Sequence, residues 1–305
     1  MGADARTNHL YGGQAVLEGV MMRGRDHWAV AVRRPDGGVH IESHVVKTVG
    51  TRYPFLKAPG LRGILALGQA LSIGMRALSI SAHQSSPEEE RPTRGQMGIS
   101  IAIAIVIFVG VFIVGPAALF GSFRGRFEGR GILLAVLEGL FRVGLFLGYL
   151  WLIGRMKDIR RVFQYHGAEH KTIAAYEHAD ELEPGRIDRY STLHVRCGTN
   201  FLLLVMILTI FVFSLFGNPP ILWRIVSRIV AIPLIAALAY ELLRLGAKFH
   251  HTLVMRALMA PGLWLQKITT KPPTVDQIEV AVASFNEVLR REAEAAPPVE
   301  PEPLT

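Results

Sequence analysis

The chain of 305 residues has a single cysteine, Cys197, so no disulfide can form within it. That excludes a disulfide-stapled scaffold and agrees with a reducing compartment for its polar parts. Charged residues are also scarce, at 19% of the sequence against 50% hydrophobic. Soluble domains carry roughly a quarter charged residues, and here the apolar surplus is gathered into blocks, which points to membrane spans and not to one large core. The opening MGADARTNHLYGG has no apolar run and does not read as a secretory signal; Arg6 stands where a myristoylation signal needs Ser or Thr. The glycines of YGGQAVLEGVMMRG lack the spacing of a dinucleotide or P-loop fingerprint, so they predict no phosphate cradle. Glu18, set among apolar neighbours in that stretch, reads as a turn or capping residue, with an inward-facing functional carboxylate as the alternative.

Basic residues outnumber acidic ones, 33 to 25. Attraction to anionic lipid headgroups, RNA or a ribosome–translocon partner is one reading of this excess. The other is the positive-inside rule, which makes cytosolic loops basic without any ligand.

Residues 28–49, WAVAVRRPDGGVHIESHVVKTV, alternate apolar and polar on either side of Pro35-Asp36-Gly37-Gly38, the pattern of a β-hairpin. Residues 61–82 are apolar but interrupted by Arg62, Gln69 and Arg76, which predicts an amphipathic or interfacial helix, followed by a linker over 83–98. Four stretches of spanning length come next, at 99–120, 132–153, 200–216 and 221–245. The sequence is therefore expected to form a polytopic α-helical membrane protein of about four transmembrane helices with a small cytosolic part containing a β-hairpin. Its expected parts are residues 9–60 with the hairpin, the 61–82 helix, the linker, a membrane domain over 99–246 enclosing the loop 154–199, a C-terminal segment and helix over 247–295, and a disordered tail at 296–305. Thr274 and Gln277 have capping-box spacing ahead of that last helix.

Arg155, Lys157, Arg160, Arg161, Lys171, Arg186, Arg189 and Arg196 make the 154–199 loop basic, and Lys248, Arg256, Lys267 and Lys271 follow residue 245. This charge bias places both termini and that loop in the cytosol, at the cost of leaving Arg124, Arg126 and Arg130 outside. Glu138 and Arg142 stand one turn apart inside the second span, with Arg228 and Glu241 of the fourth as candidate cross-helix partners. Ionisable groups at that depth need partners, so the pair either pins helix packing or lines a polar path for a transporter.

The most informative stretch is YHGAEHKTIAAYE. His166, Glu169 and His170 have the form H-x-x-E-H, with the two histidines one turn apart on a helix continuing from the second span. In inverzincins this form supplies two zinc ligands and a glutamate general base. Glu177 lies seven residues past His170 and is an alternate ligand, while His194 and Cys197, three apart, add two more zinc donors. Three protein ligands with an open position make a catalytic site, and four make a closed structural one. Both remain open on sequence grounds. His250 and His251 are adjacent and cannot share a helix face.

Four segments in order, YGGQAVLEGVMMRG, MKDIRRVFQYHGAEHKTIAAYE, STLHVRCGTNFLL and PGLWLQKITT, resemble the YqhQ-like family of bacterial membrane proteins of unknown function, over about residues 10–285. That family usually has proline where this chain has Val195. The resemblance implies a multi-pass protein of the bacterial cytoplasmic membrane and carries the label of a metal-dependent enzyme. Together these readings favour a zinc or other divalent-metal site on the cytosolic membrane surface, held by His166, His170, His194 and Cys197, with Glu169 as general base for hydrolysis of a peptide or lipid-linked substrate. The alternative is a non-enzymatic assembly or adaptor protein, either reading being compatible with a homo-oligomer.

Overall fold

The computed structural model describes residues 11–46, 58, 60–194, 197–215, 221–249 and 252–295. The expected tail at 296–305, the GNPP turn, Val195, Arg196, His250 and His251 lie outside them, as does the side chain of Arg228.

The N-terminal part is a four-stranded antiparallel meander, β1 Gly12–Val16, β2 Gly19–Arg23, β3 His27–Arg33 and β4 Val39–Val45, in the order β1-β2-β3-β4. The expected hairpin is the β3–β4 pair. Its turn is closed by Arg34 N–H donating to the Gly38 carbonyl, with Gly37 at φ 87°. The glycine-rich stretch before it, read as lacking a phosphate cradle and as holding Glu18 in a turn or cap, is a second hairpin. Val16 pairs with Gly19 across a two-residue turn in which Glu18 takes φ 49°. A Cβ on Gly19 would lie 2.1 Å from the Ala31 carbonyl oxygen, so only glycine fits between β2 and β3.

Both faces of the sheet are covered. Helices α5 Lys157–Glu177 and α10 Val275–Ala295 bury one face, with Val20, Met22, Ala29 and Ala31 meeting Tyr165, Ala168, Ile278, Ala281 and Phe285. Helix α1 Leu61–Gln84 covers the other through Ile73 and Ala77 against Val16, Trp28, Val30 and Val32. This explains why β3 is buried over five consecutive residues, Trp28–Val32, where alternation of buried and exposed positions was expected; only β4 approaches that alternation. The start of α10 keeps the glutamine half of its capping box, with Thr274 N–H donating to Gln277 Oε1 at 2.9 Å.

The remaining helices are α2 Arg94–Val109, which passes through a π-turn at Gly110–Val114 into α3 Gly115–Ser122, then α4 Gly131–Ile153, the short α6 Pro184–Ile187, α7 Gly198–Leu215, α8 Ile221–Lys248 and α9 Leu253–Thr269. Among the described residues, four stretches are long and apolar enough to cross a membrane: 62–84, 95–122, 131–153 and 198–215. Three match expected spans. The fourth is α1, expected as an amphipathic or interfacial helix, whose second half lies on the sheet. The fourth expected span, 221–245, forms α8 with Pro233 inside it. The apolar helices turn Val106, Phe211 and Leu215 outward, the reverse of a helix in water.

Two expectations need correction. The linker at 83–98 is shorter than supposed, because Thr93 caps α2 through a reciprocal box with Gln96. The second span does not continue into the histidine helix. The chain breaks at Gly154–Met156, where Met156 is extended (ψ 135°). A Cβ on Gly154 would come 3.0 Å from the Phe163 ring, so glycine lets α5 fold back against the end of α4.

Candidate metal centre

Helix α5 buries the face that carries Tyr165, Ala168, Glu169, His170 and Thr172. Two neighbouring segments close over it. Lys271 N–H donates to the Phe163 carbonyl at 2.9 Å, and the absence of a side chain at Gly167 lets the Lys271 carbonyl approach; a Cβ there would be 2.2 Å from that oxygen. This contact brings the end of α9 onto α5. His166 Nδ1–H donates to the Thr269 carbonyl at 2.9 Å, and His170 Nδ1–H donates to the Thr192 carbonyl at 2.5 Å. Since a carbonyl can only accept, both rings are fixed in the tautomer whose lone pair is on Nε2.

Those lone pairs converge with the cysteine. His166 Nε2 lies 3.2 Å from Cys197 Sγ, and the ligating atoms of His166, His170 and Cys197 all fall within 4.8 Å of one another. Among the described residues, His170 Nε2 is buried without a hydrogen-bond partner, and so is Glu169 Oε2. A buried polar atom left unpaired costs about 1–3 kcal/mol, and a bound ion or an ordered water would relieve it. Two imidazoles held at Nδ1 by carbonyls, plus a thiol, are a donor set that could hold a metal ion through three protein ligands. The residues fit a divalent ion of borderline softness, zinc foremost.

Electrostatics fit the same use. Burial and the neighbouring His166 push His170 down to about 2, so its ring is neutral at physiological pH. Burial likewise lowers His194 and raises the Cys197 thiol, the latter against hydrogen bonds from Thr199. Glu169 is pushed up to about 8 by burial and by Cys197, against the opposing pull of His166 and the Gly13 N–H. Strand β1 therefore reaches the site: a Cβ on Gly13 would lie 2.8 Å from Glu169 Cγ.

The structure thus brings together three of the four ligands expected from sequence. His194 stands beside them, its ring centroid 5.7 Å from that of His170, but its Nε2 engages Glu177 Oε2 at 3.3 Å. Sequence reasoning missed Gln266, which is fully buried and clamps the His194 peptide from both sides. It accepts from His194 N–H at 2.8 Å, and its amide donates to the His194 carbonyl at 2.8 Å and to Asn200 at 3.0 Å. A lone amide in the apolar run of α9 was its only signal.

The other singled-out residues lie elsewhere. Glu18 receives Arg161 and the Tyr165 hydroxyl, so it ties the β1–β2 turn to α5. Glu138 and Arg142 pair at 2.6 Å within α4, and Arg142 also donates to the Ile113 carbonyl of the π-turn at 3.3 Å. Glu241, expected as a cross-helix partner of that pair, instead takes Arg62 of α1 at 2.6 Å. The reason is packing: Gly63 of α1 sits directly on Ala237 and Tyr240 of α8.

A helix-braced antiparallel sheet, joined to long apolar helices with a His-His-Cys cluster where the two meet, defines a mostly helical protein with four helices, among the described residues, long and apolar enough to cross a membrane. Residues 58–291 match the family described as "Protein of unknown function (DUF1385)". The chain is also 37% identical over 297 residues to the uncharacterized protein YqhQ of Bacillus subtilis, covering 93% of each chain. The chain belongs to this family. No solved structure matches it.

Proposed function

We propose that this protein is a metal-dependent hydrolase of the bacterial cytoplasmic membrane, with both termini and its site on the cytosolic side. His166, His170 and Cys197 would hold a divalent ion, with zinc the best fit. The observation that carries this reading is the buried, unpartnered Nε2 of His170 facing the other two donors, with a second unpartnered buried atom on the adjacent Glu169. When bound, the ion supplies a Lewis acid that polarises an acyl or phosphoryl oxygen and makes water more acidic. The chain's own contributions are positional. Thr269 and Thr192 hold the two rings, and Gly13 N–H holds one side of the Glu169 carboxyl group. Glu169 serves as the base that takes a proton from water and returns it to the leaving group. Burial raises the Glu169 carboxyl group above the ordinary glutamate range in the metal-free site, and a bound cation would draw it back toward the carboxylate that a base requires.

A closed structural site in an adaptor protein is the second reading, and the nearness of the His194 ring to His170 favours it. Metal analysis of the purified protein, together with rescue of a strain lacking it, separates the two. A catalytic site keeps its metal but loses rescue in Glu169→Gln, and keeps its metal in His194→Ala. A structural site loses metal in His194→Ala while Glu169→Gln rescues normally. A wild-type protein containing no metal refutes both.

A further inference from the structure

An apolar groove lies on α7 and α9, the helix that begins beside Cys197 and the helix that ends at Thr269. Helices α4, α7 and α9 enclose a cavity of about 610 Å³, lined by residues that include Leu140, Leu147, Ile207, Trp264, Leu265 and Ile268. Its one polar side chain, Ser214, already donates to the Phe211 carbonyl, so nothing in the groove asks for a polar ligand. Two of its walls, α4 and α7, are apolar enough to cross a membrane, and Trp264 is 73% exposed at its edge.

Two helices that line the groove also carry or adjoin residues of the site. On α9, Leu265 and Ile268 bracket Gln266 and adjoin Thr269, the residues that hold the His194 peptide and the His166 ring. On α7, Leu203 is six residues past Cys197, or about 9 Å at 1.5 Å per residue. Two cations stand at this end. Lys267 is exposed, Lys271 lies one turn on with its ammonium on the Lys267 carbonyl at 3.1 Å, and neither makes an ion pair among the described residues.

From this arrangement we infer that the substrate is an anionic lipid, its hydrocarbon chain lying in the α4–α7–α9 groove and its anionic headgroup meeting Lys267 and Lys271, so that a headgroup ester reaches His166, His170 and Cys197. This rests on the hydrolase reading above and names its substrate class. Water adds to the ester centre, the bond to the alkoxide oxygen breaks, and the proton taken by Glu169 passes to that oxygen. Ester and water give acid and alcohol, with no redox partner.

The test uses the full-length, metal-loaded protein in phosphatidylcholine nanodiscs doped with phosphatidylglycerol, with lipid binding and release of the cleaved headgroup both measured. Two lysines facing an anionic surface predict a preference for phosphatidylglycerol of about 30-fold. The double variant Lys267→Glu/Lys271→Glu should abolish that preference with the metal retained. Ile207→Trp should weaken binding of either lipid by filling the groove, and metal content reports whether it has folded. Glu169→Gln should bind lipid normally and release no headgroup. Equal binding of the two lipids, or binding untouched by Ile207→Trp and by the lysine double variant, overturns the inference and leaves the metal and rescue results for the hydrolase reading standing. Binding without Glu169-dependent cleavage overturns the lipid's role as substrate. Loss of metal dependence in the rescue assay strikes the hydrolase reading instead.

Discussion

Removing the carboxylate of Glu138 while leaving Arg142 in place is the sharpest test of how the apolar helices are held. The two side chains are 8% and 16% exposed and meet at 2.6 Å, so the weak, solvent-screened regime of surface pairs does not apply. Breaking a buried pair from one side costs about 3–5 kcal/mol in soluble proteins, and a lone arginine at mid-helix costs about 2.5–3.5 kcal/mol on insertion scales. Arg142 also donates to the Ile113 carbonyl, which survives the change and pulls the cost toward the lower end. Glu138→Ala should therefore destabilise by about 2–3 kcal/mol. The double change Glu138→Ala with Arg142→Ala removes both charges and should cost less than Glu138→Ala alone. Unfolding of the detergent-solubilised variants by denaturant measures all three. Additive losses would show that the residues do not act as a pair, and a Glu138→Ala protein as stable as the original would refute the burial argument itself.

Three further outcomes follow from particular contacts. Gly13→Ala places a methyl 2.8 Å from both Glu169 Cγ and the Met21 carbonyl; it should cost about 1–3 kcal/mol by overpacking and impair rescue while the metal stays bound, as melting and metal analysis would show. Glu287 is held down to about 2, chiefly by Arg290 and further by Arg291 and Ser43. Its stabilisation is full above the ordinary glutamate value of 4.5 and is lost as pH falls toward 2, so Glu287→Gln should flatten the acid side of a melting-temperature profile taken from pH 6 to 3. A reporter fused after residue 180 should read cytosolic and one at residue 218 external; the opposite result would remove the cytosolic placement of the site.

Features encoded by neighbouring residues were legible in the sequence. The alternation around Pro35–Gly38 specifies the β3–β4 hairpin, and long apolar runs specify α2, α4 and α7. The spacing of His166, Glu169 and His170 places three chemical groups together on α5, because one helical turn suffices to do so. The β1–β2 hairpin escaped because its strands are glycine-rich and its turn, Leu17-Glu18, lacks the usual turn residues. Only the tertiary structure decided the rest. Arg62 captures Glu241 across 179 residues, and Cys197, expected in the ligand set from its residue type alone, meets His166 across 31. Which nitrogen each histidine presents depends on the carbonyls of Thr269 and Thr192. Every residue carries a carbonyl, so residue type cannot reveal which ones are aimed at a ring. That is set by α9 and the segment after α6 closing over α5, and it turns His194 toward Glu177 while leaving His170 Nε2 free among the donors.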